Sequence, residues 1–271
     1  MTAQTQTAVP SAEPLVLTER AGGIVTLTMN RPAQFNALSE GLMDALQQAL
    51  EGIAADAQAR VVVLRAAGRA FCAGHDLREM REVPSLDYYR MLFAQCTRLM
   101  MTIQRMPQPV IARVQGIATA AGCQLVAMCD LAVAVSDARF AVSGVNLGLF
   151  CSTPAVALSR NVSRKQAFEM LVTGEFIDAP TALERGLVNR VVPADRLDDE
   201  VLKLAQTICA KSAAAVSAGK GMFYRQLEMG IDAAYQLAGQ TMACNMMEDE
   251  TLEGVLAFIE KRPPRRPQTE G

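Results

Sequence analysis

Two short stretches carry backbone chemistry before any side chain is considered. "RAFCAGHDL" (69–77) sets a glycine directly behind an apolar, strand-like run, and "TAAGCQLVAMCD" (119–130) opens a short apolar helix with small residues. The first N–H groups of a helix have no partner inside it, and the helix dipole favours negative charge there. Two such amides aimed at one point make an oxyanion hole, which stabilises charge developing on a carbonyl oxygen. Side chains able to move protons are scarce nearby. Position 124 is a glutamine, whose amide does not exchange protons usefully near neutral pH. His75 is the single histidine of the chain, and an ordinary imidazole turned into a pocket could act there as acid or base. Asp130 follows the helix as a pairing or capping carboxylate, while Asp137 and Arg139 fall in a turn and read as solvated. Cys123 and Cys151 flank the region, each either a nucleophile or a buried structural thiol.

The elements that must hold these stretches alternate between strand and helix. "GIVTLTMN" (23–30) reads as a strand ended by "NRP", and "SEGLMDALQQALEGIAAD" follows with Ser39 as N-cap and Leu42, Met43, Leu46, Leu50 and Ile53 at helical spacing. "RVVVLRAAG" (60–68) is an all-apolar, β-branched run of the kind a strand buried on both faces shows. Residues 86–106 form a long helix closed by Pro107 and Pro109, and "VIARV" (110–114) returns as a buried strand. "DLAVAVS" (130–136) and "RFAV" (139–142) are strands again, Asp178 and Pro180 open a short helix closed by Gly186, and "LVNRVVP" closes the strand pattern. Beyond about residue 196 the pattern is helical. The expected organisation is a tail at 1–14, an α/β core at 15–200 and a helical region at 201–271.

Composition narrows the function classes. With 51% hydrophobic residues a substantial core can be buried, and 26 Lys plus Arg against 28 Asp plus Glu leave no basic excess for a nucleic acid. Seven cysteines without CxxC pairs and one histidine argue against a metal site. No apolar stretch reaches membrane-spanning length, and "MTAQTQTAVPSAEP" has neither the basic and apolar regions of a secretory signal nor the arginines of an organellar presequence, so a cytoplasmic protein is expected. Met-rich segments after residue 220 suit either core or the faces between subunits.

The ordered set "NRPAQFNAL", "RAFCAGHDL", "PVIARVQGIATAAGCQLVAMCDLAVA", "RFAVSGVNLGLF", "LVTGEFIDAPTALERGLVNRVVP" and "FIEKR" resembles the enoyl-CoA hydratase/isomerase (crotonase) family from about residue 15 to the end. Within it, "GIATAAGCQLVA" and "GVNLGLFCSTP" are similar to the group called enoyl-CoA hydratase domain-containing protein 3. The resemblance implies an α/β spiral of ββα repeats with a C-terminal helical trimerisation region, and homotrimers that can pair into hexamers. It implies an acyl-CoA thioester as ligand, with no separate cofactor because coenzyme A is part of the substrate. Carried over by position, the oxyanion-hole amides fall on His75 and Ala121. Ala73, Asp76 and Leu77 match positions at the adenine end of CoA, and Phe35, Asn36 and Ala37 lie on the segment that runs along it. Phe258 and Lys261 match positions that reach a CoA bound by a neighbouring subunit.

The two glutamates that share proton work in family hydratases are replaced here by Gln124 and Gly144. Loss of a general acid or base removes about 10²- to 10⁴-fold in rate, so hydration should be very poor unless other groups substitute. Gln124 could hold a water or the thioester, Gly144 could open room for a larger acyl group, and Asn146 could orient water. An acyl-CoA enzyme of the hydratase/isomerase type is therefore expected, with a non-catalytic acyl-CoA binder, or an isomerase, decarboxylase or thioesterase on the same enolate site, as alternatives.

Overall fold

The chain winds as a spiral in which each turn gives one strand to a large sheet and the next to a small one. The computed structural model describes residues 13–265. The expected tail at 1–14 therefore lies, apart from Glu13 and Pro14, outside the described residues, as does the stretch after 265. β1 (Val16–Ala21) and β2 (Ile24–Met29) form a hairpin across Gly22 and Gly23, and α1 (Glu40–Ala54) follows. Three strand pairs come next: β3 (Val61–Ala66) with β4 (Ala70–Cys72), β5 (Val110–Val114) with β6 (Ile117–Thr119), and β7 (Leu131–Val135) with β8 (Arg139–Ala141). After β4 come α2 (Leu77–Glu82) and α3 (Leu86–Arg105), after β6 comes α4 (Ala121–Met128), and after β8 come α5 (Ser152–Leu158) and α6 (Arg164–Thr173). β9 (Ile177–Asp178), α7 (Ala179–Glu184) and β10 (Arg190–Val192) complete the spiral. The large sheet runs β1-β2-β3-β5-β7-β10, parallel except for the β1–β2 hairpin, and the small one runs β4-β6-β8-β9. This is the α/β spiral of ββα repeats that the resemblance implies.

The reasons are local. β3 is buried along its length except at Arg65, matching its unbroken apolar run. Ser39 accepts from the Leu42 amide at 3.1 Å to start α1, which turns Leu42, Met43, Leu46, Leu50 and Ile53 into the core. Ser85 caps α3 in the same way, and Tyr88, Leu92, Cys96, Leu99 and Ile103 form its buried stripe. β1 escapes sequence reading because "VLTERA" is solvent-exposed and charged at the sheet edge. The double glycine before β2 was its available signal.

The chain ends in α8 (Leu197–Cys209), α9 (Ala213–Gln226), α10 (Ile231–Met246) and α11 (Asp249–Ile259). α9 is pinned to the core by one buried cation. Lys220 Nζ donates to Asp130 Oδ2 at 2.7 Å and to the carbonyls of Ile103 and Gln108 at 2.8 and 2.9 Å. Tyr224 donates to the other Asp130 oxygen at 2.8 Å, and the Val110 amide donates to Oδ2 at 2.6 Å. A buried ion pair is tolerated when its remaining bonds are made, as they are here, and removing one partner strands a charge at roughly 3–5 kcal/mol. The carboxylate that ends the α4 segment thus serves as a pairing group.

α4 lies against β4 with no room between them. A Cβ on Gly122 would collide with the backbone carbonyl of Cys72. Gly122→Ala is expected to lower the unfolding free energy by about 1–3 kcal/mol through that overlap, read by denaturant titration, and an unchanged midpoint would contradict the contact.

Candidate functional site

The segment after β4 and the start of α4 meet at Gly74. Its φ is +95°, and a Cβ there would stand 2.9 Å from the Ala120 Cβ and 3.4 Å from the Ala121 nitrogen. The Leu38 amide donates to the Gly74 carbonyl at 2.8 Å and the Asp76 amide to the Leu38 carbonyl at 3.1 Å, which clamps the chain on both sides of His75. The N–H of His75 and that of Ala121, the first residue of α4, have no acceptor among the described residues. Ala120 is held at φ 50° and ψ −121°, a region that costs a residue bearing a Cβ about 1–3 kcal/mol. Its N–H donates to the Ala141 carbonyl and its carbonyl accepts from Gln124, both at 3.0 Å, so this strained joint is fixed from both ends.

His75 and Ala121 both line one cavity of about 270 Å³. Ala73, Leu77, Met80, Phe93, Ala120, Ser143, Gly144 and residues 147–154 other than Gly148 line it with them. Among the described lining residues none is a carboxylate, a lysine or an arginine, and His75 and Cys151 are the ionisable side chains. Among the described residues no group of three or more His, Cys, Asp or Glu side chains could hold a metal ion. Phe93 and Met80 were not singled out in the sequence, since neither belongs to the fully buried stripe of its helix. Ser143 was missed too, although it adjoins Gly144, and its hydroxyl lies 2.9 Å from that of Thr119.

The side chains expected to do chemistry are placed very differently from one another. The His75 ring stands edge-on to Phe93 with centroids 5.5 Å apart, and its Nε2 is buried without a hydrogen-bond partner. Burial pushes the imidazole down from its ordinary 6.5 to about 4. This corrects the expectation of a group titrating near physiological pH, because desolvation penalises the cation. Gln124 lies one turn along α4 from Ala120 and Ala121 on the same helix face, with only 5% of its surface exposed and its Oε1 unpartnered. It stands behind the cavity wall rather than on it. Gly144 is on the wall, but it opens no extra room. A Cβ there would sit 2.5 Å from the Leu149 carbonyl oxygen and 2.7 Å from Cys151 Sγ, so backbone and thiol already fill that space. The Asn146 amide turns away to the Gly174 carbonyl at 3.4 Å and leaves the wall, which removes it as an orienter of water in the cavity. Burial raises the Cys151 thiol and pushes the Cys123 thiol up to about 12, so both are protonated at neutral pH.

Of the positions matched to CoA contacts, Ala73 and Leu77 line the cavity. Asp76 is committed elsewhere, pairing with Arg31 at 3.0 Å and capping α2 through the Arg78 amide. Phe35 is 40% exposed and carries the Arg69 guanidinium 4.8 Å from its ring centroid. Asn36 is fully buried, accepting from the Arg31 amide at 2.9 Å and donating to the Ala67 and Ala70 carbonyls at 2.8 and 2.9 Å. Its side chain braces the loop and has no group left for a ligand. The Ala37 carbonyl accepts from the Arg31 guanidinium at 2.7 Å, making Arg31 the organiser of this loop, a role without a sequence signal beyond "NRP". Phe258, 85% exposed, and Lys261 lie off the cavity wall, so within one chain they do not join the site.

The depressed imidazole has a consequence for stability. Below pH 6.5 the unfolded chain takes up a proton that folded His75 refuses until about pH 4, so folded stability falls as pH drops across that interval. The loss attributable to this residue is at most about 3 kcal/mol. His75→Phe should therefore show a shallower fall of unfolding free energy over that interval than the parent, and equal slopes would contradict the buried ring.

Comparison with known proteins agrees with this architecture. The family model for enoyl-CoA hydratase/isomerase matches residues 19–268. Enoyl-CoA hydratase domain-containing protein 3, mitochondrial, of Danio rerio is 46% identical, with 92% of this chain and 86% of that protein covered. The crystal structure of an enoyl-CoA hydratase from Mycobacterium smegmatis is 64% identical with a TM-score of 0.92, covering 93% of this chain and 99% of that one. That of human enoyl-CoA hydratase domain-containing protein 3 is 43% identical with a TM-score of 0.90, covering 93% and 100%. The expectation of a cytoplasmic protein is overturned by the relatives named as mitochondrial, since the composition of a chain's first residues does not determine its compartment. With the match spanning nearly the whole chain and the same fold in its relatives, the chain belongs to the enoyl-CoA hydratase/isomerase (crotonase) family.

Proposed function

We propose that the chain takes an acyl-CoA thioester into the cavity, with the thioester oxygen received by the N–H groups of His75 and Ala121 and the derived enolate stabilised there. One observation carries this reading: two residues whose backbone donors have no acceptor among the described residues line one apolar cavity, held by Gly74, Gly122 and the strained Ala120. Donors fixed before the reaction need no reorganisation as charge develops, which is how such sites lower a barrier. The apolar wall of Leu77, Met80, Phe93, Leu147, Leu149 and Phe150 suits an aliphatic acyl group. No cofactor beyond the CoA of the substrate enters this reading. The unit of function is a homotrimer, or a hexamer of paired trimers, joined through α10 and α11, where Ile231, Tyr235, Met242, Met247, Phe258 and Ile259 stand exposed.

Hydration by a glutamate pair is not what this wall supports. Addition of water needs a base for the attacking water and an acid for the α-carbon. Among its described lining residues the cavity offers a neutral His75 ring, the Cys151 thiol, the hydroxyls of Ser143, Ser152 and Thr153, and no carboxylate. A second reading follows from the same absence, that of an acyl-CoA binder without turnover. Butyryl-CoA held with the protein in deuterium oxide separates the two: deuterium at the α-carbon by mass spectrometry supports the enolate site, and tight binding without exchange supports the binder.

Crotonyl-CoA hydration, followed by loss of enoyl-thioester absorbance, should run at least about 10²-fold below a glutamate-bearing family hydratase. Gln124→Glu should restore little of it, because the side chain at this position is only 5% exposed and lies off the cavity wall. Gly144→Glu should gain nothing, since its Cβ lies within 2.5 Å of the Leu149 carbonyl oxygen. A parent rate within about tenfold of the reference would contradict the account of the missing acid and base.

A further inference from the structure

One polar atom of a cavity-lining residue has no role in the proposal above. His75 Nε2 is buried and unpartnered, although the residue stands on the wall and its ring is fixed edge-on against Phe93. Three other polar groups of that wall have partners: Ser143 Oγ lies 2.9 Å from Thr119 Oγ1, Ser152 Oγ donates to the Phe150 carbonyl at 3.3 Å, and the Gly144 amide donates to Cys151 Sγ at 3.3 Å. A buried polar atom left without a hydrogen bond is a free-energy cost that a ligand bearing the matching group removes.

We infer that the His75 side chain is a specificity determinant, and that it reads a hydroxyl on the first few carbons of the acyl chain. The inference rests on the acyl-CoA reading of the cavity. Because the His75 amide takes the thioester oxygen in that reading, the ring of the same residue stands within one side chain's length of the thioester, where the first acyl carbons lie. A neutral imidazole presents one donor and one acceptor nitrogen, and a hydroxyl both gives and accepts, so either tautomer can bind it. The neutral state is what desolvation of this ring enforces. A carboxylate at the same place finds no lysine or arginine among the described lining residues and would enter unpaired, so dicarboxylic acyl groups are excluded by the same wall. Leu147, Leu149 and Phe150 give the rest of the chain an aliphatic surface. The His75 ring is thus a binding group that orients and selects.

Calorimetric titration of the full-length protein with butyryl-CoA, 3-hydroxybutyryl-CoA and succinyl-CoA tests this. The hydroxylated thioester should bind about five- to tenfold more tightly than the saturated one, the worth of one hydrogen bond, and succinyl-CoA most weakly. In His75→Phe the ratio of hydroxylated to saturated affinity should fall to about one, and in His75→Gln, which keeps a donor and an acceptor, a preference should remain. A parent ratio near one, or a preference that survives in His75→Phe, overturns the assignment while leaving the acyl-CoA site standing. Failure of all three thioesters to bind overturns that reading of the cavity and this assignment with it.

Discussion

The close approach of α4 to the end of β4 is the constraint on which the rest depends. Gly122 lets the helix settle onto the Cys72 carbonyl, and Gly74 lets the following segment pass so near the start of α4 that a Cβ on it would stand 2.9 Å from the Ala120 Cβ. Neither contact survives a side chain. Between them Ala120 is forced to φ 50°, a strain that the spiral absorbs because β6 and β8 fix its amide from one side and the first turn of α4 fixes its carbonyl from the other. The result is a helix N-terminus and a strand end whose first free amides belong to one cavity. The large sheet beneath, with β3 and β5 buried on both faces, supplies the rigidity that lets two short segments hold such a joint.

How the fold could be read from sequence differs from element to element. β3, β5, α1 and α3 were legible because burial imposes a period on composition: unbroken apolar runs for strands covered on both faces, a three-to-four spacing for helices covered on one. β1 was not, because an edge strand buries little and keeps its charges. The small-residue openings at Gly74 and Ala121 were visible as unusual, yet their convergence is tertiary and has no local signature. Side-chain roles were hardest. Asn36 looks like any loop asparagine, and only the structure shows all its bonds spent on Arg31, Ala67 and Ala70. Gly144 reads as empty space, and the Leu149 carbonyl that fills it comes from five residues further on. His75 titrates in sequence terms near neutrality, and it is burial that moves it.

A division of labour follows. In the proposed function the thioester carbonyl is received by backbone, which tolerates replacement of side chains, whereas proton transfer needs particular side chains at particular places. In the proposed reading, Gln124 and Gly144 would leave the first intact and remove the second. The C-terminal helices stand apart from this chemistry within one chain, tied to the core through Lys220 and Asp130 and presenting apolar faces outward. In the proposed reading, a cavity with two donor amides, a neutral imidazole and no charged side chain among its described lining residues is suited to hold and polarise a thioester more than to add water to it.

The most direct test of that account is the carbonyl stretch of butyryl-CoA carrying ¹³C at the thioester carbon, taken by infrared difference spectroscopy on the bound complex. Two fixed amide donors predict a band at lower frequency than the same thioester shows in water, and one that stays there in Gln124→Leu. A band at or above the frequency in water would contradict the central claim, because the His75 and Ala121 amides would then not be meeting the oxygen.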